Sequence, residues 1–565
     1  VMAALADDPL ARSPSSDAAY YLARAQGLQR AMAGGASDPL AAQTFHLPPL
    51  YPWLLALLPG IGSGDLTAAL LLQATAGTLL LALTFVLARR RLSRAAALLA
   101  AALTLLYWPL SFYETRLLGD SLACLALVAA LVLADALADA TREAGTVPEP
   151  APVRRGPRAA LLGAVVAAAA LLRPQALLLL PVLLAWIVRL PGRPWLPFVA
   201  AAALVLAPSV VHNARAGGDL VLVSDNGGVN LWLASTGPVT GTFATDDESF
   251  GDIARQADVA RAIAEREAGH ALSPGGVSSW FTRAALSAIA SDPGRFAQRV
   301  LRRAAALVES FETDIASFPE TGRALIAPLA PLALPFGVLL GLCAAGAALG
   351  ARLRPAPRLP LLALACMVGL TALLFFHYSR FRLPLVPLLA LGAAATWDRV
   401  RGGHVGLPRA AAALAALAGT VALSLLPAPH HAPALANGLT STGTARLALA
   451  QPGDRAAAQA ALDDARAALA EQPGFVRAQL LEARAALLLG QWQECRDALD
   501  AVERALPGHP AARLNRAFLL AVPDPRNPFH DRAAAASIAA ELQPAAADDR
   551  TIADGLQDLQ RVLAR

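Results

Sequence analysis

Long apolar runs alternate with short polar breaks that carry arginine up to about residue 430, and the pattern changes character only beyond that point. Runs near the ~20 residues that a helix needs to cross a bilayer lie at 65–88, 94–111, 117–138, 158–172, 174–189, 194–211, 326–350, 358–377, 382–397 and 408–427. About ten spans are therefore expected. The pair around Arg173-Pro174 is short on both sides and reads either as two tilted spans or as one kinked hairpin, which leaves the count open by two either way. The first residues, Val1 to Pro9, lack the basic-then-apolar order of a signal peptide and look like the tail of a preceding span.

Arginine placement sets the expected orientation. If the first complete span runs inward, Arg89, Arg90, Arg91, Arg94, Arg142, Arg154, Arg155, Arg158, Arg189, Arg193, Arg352, Arg354, Arg358, Arg399, Arg401 and Arg409 fall in inner loops, and only Arg116, Arg173, Arg380 and Arg382 in short outer ones. Sixteen against four is a strong positive-inside bias. Were residues 47–59 a full span, every downstream sign would invert, so this stretch is expected to be an interfacial or re-entrant helix on the outer side. Three polar pieces then face outward: 1–64, the loop from about 213 to 325, and everything after about 428. The expected architecture is mostly α: a first outer loop (1–64), a polytopic transmembrane helix bundle (65–427) with the 213–325 loop inserted on the periplasmic side, and a C-terminal helical repeat domain (428–565).

In that last region Ala, Leu, Arg and acids follow a helical period, and Pro473-Gly474 and Pro507-Gly508 stand one 34-residue repeat apart. Leu489-Gly490 suits an inner turn and Trp492 the start of a second helix, as in tetratricopeptide repeats. Two or three helix pairs are expected, either as a groove for a protein partner or as a plain helical cap.

Composition supports a chain solvated largely by lipid: 56% of residues are apolar and 16% charged, against ~25% charged in an ordinary soluble domain. All 47 basic residues are arginine, yet they cluster at the ends of apolar runs and form no basic, aromatic-laced face, so nucleic acid is excluded as the partner. Four scattered cysteines provide neither a disulfide framework nor a zinc site.

Ionisable groups at the outer ends of spans carry the candidate chemistry, because charge at that depth is costly and usually faces the bundle interior. Asp17 opens a helix-like stretch that includes Tyr21, and reads either as an N-cap or as a base at the membrane surface. His46 and Tyr51 flank the Pro48-Pro49 pair; they suit a site, or simply a helix start and an aromatic belt. Glu114 stands at the outer start of a span, as a site acid or as a surface partner of Arg116, with Asp120 a weaker candidate further in. Arg173, Arg380 and Arg382 break the inside-positive trend, which a lipid phosphate or outer head groups would compensate. Residues 212–234 read as short β-like runs around Asn226-Gly227-Gly228, with Asn226 and Asn230 suited to sugar or pyrophosphate contact. Asp246, Asp247 and Glu248 could hold a divalent cation, but adjacent loop acids are more often simply solvated, so no metal is assigned.

Asp17-Ala18-Ala19-Tyr20-Tyr21, Pro48-Pro49-Leu50-Tyr51-Pro52, Tyr113-Glu114-Thr115, Leu172-Arg173-Pro174-Gln175, His212-Asn213 with Asp225-Asn226-Gly227-Gly228-Val229-Asn230, and Arg380-Phe381-Arg382-Leu383-Pro384 stand in an order that resembles the membrane-embedded C-type glycosyltransferases. The similarity is greatest to the bacterial protein O-mannosyltransferase-like branch (family 39, with the Rgt-type sugar transferases as relatives) and covers about residues 10–400. The resemblance implies an inverting enzyme of the cytoplasmic (inner) membrane that moves a sugar from a polyprenyl-phosphate donor to a glycan, lipid or protein acceptor on the outer face. It also implies a catalytic base at Asp17, an acceptor-placing acid at Glu114 and donor-phosphate contacts from Arg380 and Arg382. Many relatives have two adjacent acids where this chain has Asp17-Ala18, and some have a lysine where it has His46-Leu47. A flippase or transporter of a lipid-linked sugar, or a membrane-anchored repeat scaffold, are the competing readings; no internal duplication of spans supports a transporter.

Overall fold

The computed structural model describes residues 8–35, 43–143, 152–239, 250, 253–314, 318–323, 326, 331–353, 358–403, 405–548 and 550–564. Among them every regular element is helical. Two compact units divide the chain: Pro14–Ala428, and Pro429–Arg565 together with the short helix Pro9–Arg12.

In the first unit, helices α1 (Asp17–Met32) and α2 (Leu50–Ala56) precede the long α3 (Thr67–Arg91). Helix α2 has only 7 residues, far too few to cross a bilayer, in keeping with the interfacial expectation for this stretch. Then follow α4 (Arg94–Leu106), α5 (Pro109–Tyr113), α6 (Asp120–Glu143), α7 (Pro152–Leu172), α8 (Leu179–Ile187) and α9 (Trp195–Gly217). Helix α3 opens where the Asp65 carboxylate accepts from the Thr67 N–H at 2.9 Å and closes on Arg89, Arg90 and Arg91. Its 25 residues span about 37 Å at ~1.5 Å per residue, ample for a ~30 Å hydrocarbon core. Arg90 and Arg91 at its end pair with Asp135 and Asp139 of α6. Ser93 caps α4 and donates its N–H to Asp398 at 2.7 Å. Close approach of α7 to α9 requires Gly163, where a Cβ would fall 2.1 Å from the Phe198 carbonyl.

Each of the ten apolar runs contains helix, and among the described residues five helices are long and apolar enough to cross a membrane: Thr67–Arg91, Asp120–Ala140, Arg155–Leu172, Trp195–Gly217 and Leu407–Ser424. Arg94–Leu106, Pro174–Ile187, Phe336–Ala348 and Arg358–Leu374 are shorter apolar helices. The chain is a multi-pass membrane protein of mostly helical architecture. Buried apolar side chains around Tyr51, Tyr107, Phe112 and Val386 form one core of the unit, and those around Leu131, Val166, Leu183 and Met367 another.

The β-like expectation for 212–234 is corrected. Helix α9 runs on to Gly217, residues 218–226 form bends, and α10 (Gly227–Thr236) begins at the glycine pair. Gly228 serves close packing rather than a hairpin, since a Cβ there would sit 1.9 Å from the carbonyl of Ser278. Ser278 belongs to α12 (Pro274–Ser291), which with α11 (Ile253–Ala268) encloses Val229, Leu233, Phe250, Ala264 and Phe281. Asp246, Asp247 and Glu248, the cation candidates, lie outside the described residues. After α13 (Pro293–Val308) come α14 (Phe336–Ala348), α15 (Arg358–Leu374), the single turn α16 (Ser379–Arg382), α17 (Val386–Arg401) and α18 (Leu407–Ser424).

In the second unit α19 (His431–Leu449), α20 (Arg455–Glu471), α21 (Val476–Leu489), α22 (Trp492–Ala505) and α23 (Pro510–Ala521) pack each on the next. Gly474, Gly490 and Gly508 occupy left-handed turns at φ +79, +74 and +76, so the 34-residue spacing of the Pro-Gly pairs falls on equivalent bends.

Candidate active site

A cavity of about 450 Å³ opens in the first unit where α1, the turn at Arg173, α10, α11, α15 and α16 meet. Its polar lining comes from Asp17, Arg173, Gln175, Asn226, Gln256 and Arg380; Leu177, Leu178, Phe250, Phe375 and Phe381 line its apolar side.

Asp17 is the first residue of α1 and caps nothing. Ser16 before it sits at φ 50, ψ −127, a left-handed conformation uncommon for serine, and makes no side-chain cap. The Asp17 Oδ2 instead accepts from Arg380 Nη2 at 2.9 Å. Helix α1 is fixed from below: Gln26 donates to the Ile61 carbonyl at 3.0 Å, Gln29 donates to those of Ala56 and Leu58, and Tyr21 meets Tyr51 edge-on at 5.3 Å. Burial, reinforced by the Asp17 charge, pushes the Tyr21 hydroxyl up, so it stays a neutral phenol at the cavity wall.

Arg380 is 4% exposed by its side chain and serves two acids: besides Asp17, Asp314 Oδ2 lies 3.4 Å from its Nε. Tyr113 donates to that same Asp314 oxygen at 3.0 Å. The Tyr378 and Phe381 rings lie 5.2 and 5.7 Å from the guanidinium carbon. Burial works against the charge, but Asp314 and Asp17 outweigh it and hold Arg380 firmly cationic. Arg173, next along the wall, pairs with Asp120 and lies 5.3 Å from the centre of the same Phe381 ring. A smaller hollow lined by Asp120, Arg173, Gln175, Thr371 and Arg380 adjoins the main cavity.

Asn226 and Asn230 are four residues apart at the start of α10, hence on one helix face, and both line the cavity. Of the residues singled out from sequence, the structure brings together Asp17, Tyr21, Arg173, Asn226, Asn230 and Arg380.

Four others are corrected. Arg382, two residues from Arg380 on a single turn, points the other way: its side chain is 0% exposed, pairs with Glu312 at 2.9 Å, donates to the carbonyls of Leu307 and Glu309, and stacks on Phe336. It neutralises a buried acid and does not reach the cavity. Glu114 is also outside, in a notch on α3 where a Cβ on Gly77 would lie 1.8 Å from its Oε1; burial pushes its carboxyl up to about 7. The expected alternative, a surface pair with Arg116, is not formed either, because Arg116 is buried against Phe112. Tyr51 is buried and donates to Gln73 at 2.8 Å, while Gln73 donates to the Glu114 carbonyl.

His46 stands behind the wall rather than in it. Its Nδ1 is 2.9 Å from Asp225 Oδ1 and its Nε2 3.0 Å from Gln256 Oε1. Gln256 is oriented by its own Nε2, which donates to the Phe250 carbonyl at 3.1 Å, so the oxygen must face the imidazole. Both ring nitrogens therefore donate and His46 is an imidazolium. Burial opposes that charge, yet the bond to Asp225 outweighs it and lifts His46 above its ordinary value. Sequence reasoning missed Gln256, Gln175, Asp314 and Tyr378. Asp314 and Gln256 carry no signal beyond being polar residues in a long loop.

This multi-helix membrane bundle thus encloses a cavity that sets a carboxylate beside guanidinium groups, and the sequence comparison bears on what such a bundle resembles. Residues 44–215 match the model of the Alg9-like mannosyltransferase family, a family of membrane glycosyltransferases. The matched stretch is under a third of the chain; it contains His46, Glu114, Asp120 and Arg173 but neither Asp17 nor Arg380. It is a different branch from the O-mannosyltransferase-like one that the motif order resembles. No curated protein and no solved structure matches the chain.

Proposed function

We infer that the protein is an inverting glycosyltransferase that takes a sugar, a mannose or related hexose, from a polyprenyl-phosphate donor and transfers it to an acceptor hydroxyl on the outer face of the membrane. The observation that carries this reading is the Asp17–Arg380 pair inside one cavity that is polar on one side and apolar on the other. Arg173 and Arg380 receive the donor phosphate, guanidinium groups being suited to bidentate contact with phosphate oxygens. The apolar side, Leu177, Leu178 and Phe375, takes the first part of the lipid tail. Asn226, Asn230 and Gln175 supply amides for sugar hydroxyls. The acceptor oxygen attacks the anomeric carbon while its proton passes to the Asp17 carboxylate. The bond from that carbon to the phosphate oxygen breaks, and the electron pair leaves on the phosphate, where the arginines stabilise it.

Purified protein reconstituted with synthetic polyprenyl-phosphate hexoses and a panel of glycan, lipid and peptide acceptors tests this reading. Product with inverted anomeric configuration supports it, and no turnover of any lipid-phosphate sugar overturns it. The positive-inside count and the outward cavity that it implies are tested together by cysteine accessibility at position 16 in sealed vesicles.

A further inference from the structure

Behind the cavity wall a chain of hydrogen bonds ends on a side chain that lines the cavity. It starts from Thr44, Phe45 and His46, which polar groups of two other stretches hold in place. Phe45 donates its N–H to Asn213 Oδ1 at 2.9 Å, near the end of α9, and the buried Asn213 donates in turn to the carbonyls of Val221 and Val223. The Phe45 carbonyl accepts from the Asp225 N–H at 3.0 Å, and Thr44 donates its hydroxyl to Asp225 Oδ2. Asp225 is thereby fixed with its Oδ1 toward His46, and the next residue, Asn226, is delivered to the cavity wall at the head of α10.

The His46 ring spans from Asp225 on one side to Gln256 of α11 on the other. Gln256 is only 4% exposed, yet it lines the cavity. Its oxygen faces the His46 Nε2 and one of its N–H groups is spent on the Phe250 carbonyl. Turning the amide over would set its nitrogen against an N–H and its oxygen against a carbonyl, so its orientation is locked. The second N–H of this amide meets no acceptor among the described residues. A buried donor left without an acceptor is costly, and a ligand hydroxyl in the cavity removes that cost.

We propose that Gln256 reads a hydroxyl of the donor hexose with this spare N–H, and that His46, backed by Asp225, is the positioning residue that holds the amide in its reading orientation. The ligand group is a sugar hydroxyl rather than the phosphate, because an amide carries no charge and the guanidinium groups of Arg173 and Arg380 in the same cavity are the stronger phosphate partners. It belongs to the donor rather than the acceptor, because so deeply buried a side chain meets what fills the enclosed part of the cavity, whereas the acceptor arrives at its mouth. The inference rests on the glycosyltransferase reading and adds to it one sugar contact and the residue that sets it.

The test uses the full-length protein in liposomes, the polyprenyl-phosphate hexose that it turns over fastest, and the mono-deoxy analogues of that donor. Each hydroxyl that the wall reads makes its analogue poorer, and the one read by Gln256 is expected to cost about tenfold in kcat/KM, the weight of one buried N–H left without its acceptor. In Gln256→Met that analogue and the complete donor become equivalent, while discrimination against the other analogues is kept. Gln256→Glu, which keeps the shape and the contact with His46 but has no N–H, is expected to do the same and serves where the first variant folds poorly. His46→Gln is expected to lower discrimination at the same hydroxyl, since a single amide does not reach Asp225 and Gln256 from opposite sides as the ring does. Thermal unfolding measured alongside gives the folded fraction of each variant. No penalised analogue in the unaltered protein, or an unchanged ratio in both Gln256 variants, overturns the assignment of Gln256. A ratio lost there but kept in His46→Gln overturns the role of His46. Loss of discrimination among deoxy acceptors instead of deoxy donors overturns the choice of the donor sugar. If the unaltered protein turns over no lipid-phosphate hexose, the glycosyltransferase reading falls and this inference with it, an outcome distinct from the others.

Discussion

Asp17 and Arg380 stand 363 residues apart in the chain and 2.9 Å apart in the fold. The pair gives the acid at the head of α1 a fixed direction, with Oδ2 held by the Arg380 guanidinium. Asp17→Asn is therefore expected to lower transfer by about 10²–10⁴-fold, the usual weight of a general base, while membrane insertion and thermal stability are kept because Arg380 retains Asp314. A reconstituted transfer assay alongside thermal unfolding checks this; full activity in the variant removes Asp17 from the chemistry.

The two arginines of α16 are expected to fail in different ways. Arg382→Gln leaves Glu312 buried without its cation and costs about 3–5 kcal/mol, seen as loss of folded protein. Arg380→Gln lines the cavity, so its expected signature is weakened use of the lipid-phosphate donor, read as a rise in KM. Equal, purely structural damage from both would contradict the separation of roles.

His46 gives a pH dependence with a definite sign. Its pKa is raised in the folded state, chiefly because Asp225 overcomes the effect of burial, with Gln256 and the more distant Asp17 adding to the lift. The stabilisation is fully present below the ordinary value of about 6.5 and disappears as pH climbs through the raised one. Unfolding of the native protein and of His46→Gln should differ most in mild acid and converge in alkali. A gap that widens with pH would mean that the imidazole is neutral.

At Gly77 a methyl group meets a carboxylate. Gly77→Ala is expected to destabilise by about 1–3 kcal/mol through overpacking against Glu114, and Glu114→Ala on the same chain to recover most of that loss. Thermal unfolding of the two single variants and the double variant measures the coupling.

Every residue lining the cavity lies between Ser16 and Phe381. A chain ending at Ala428 is expected to retain transfer to a minimal acceptor, measured in the same reconstituted assay.

Much of this was legible in the sequence, for identifiable reasons. The apolar runs are long enough that length alone marks them as helices, and a charge at the end of such a run is conspicuous because lipid penalises it, which is how Arg173 and Arg380 stand out, whereas Asp17 stands out as the acid that opens a helix-like stretch. The fate of Arg382 was hidden because a two-residue offset on one helical turn sends side chains in different directions, and only the fold shows that Glu312 waits on that side. The sequence leaves open whether His46 lines a site, and its place behind the wall is not legible there because its partners Asp225 and Gln256 lie 179 and 210 residues away. Asn226-Gly227-Gly228 resembles a hairpin turn because glycine pairs mark turns and close helix contacts alike; the backbone of Ser278, distant in sequence, decides between them.

The span of 363 residues between the two halves of the Asp17–Arg380 pair also sets a timetable for biogenesis. A ribosome adding roughly 5–20 residues per second needs about 20–70 s between the two codons. Throughout that interval the nascent chain carries Asp17 without the guanidinium that pairs with it in the fold. The cavity is thereby incomplete until nearly the whole bundle has been made.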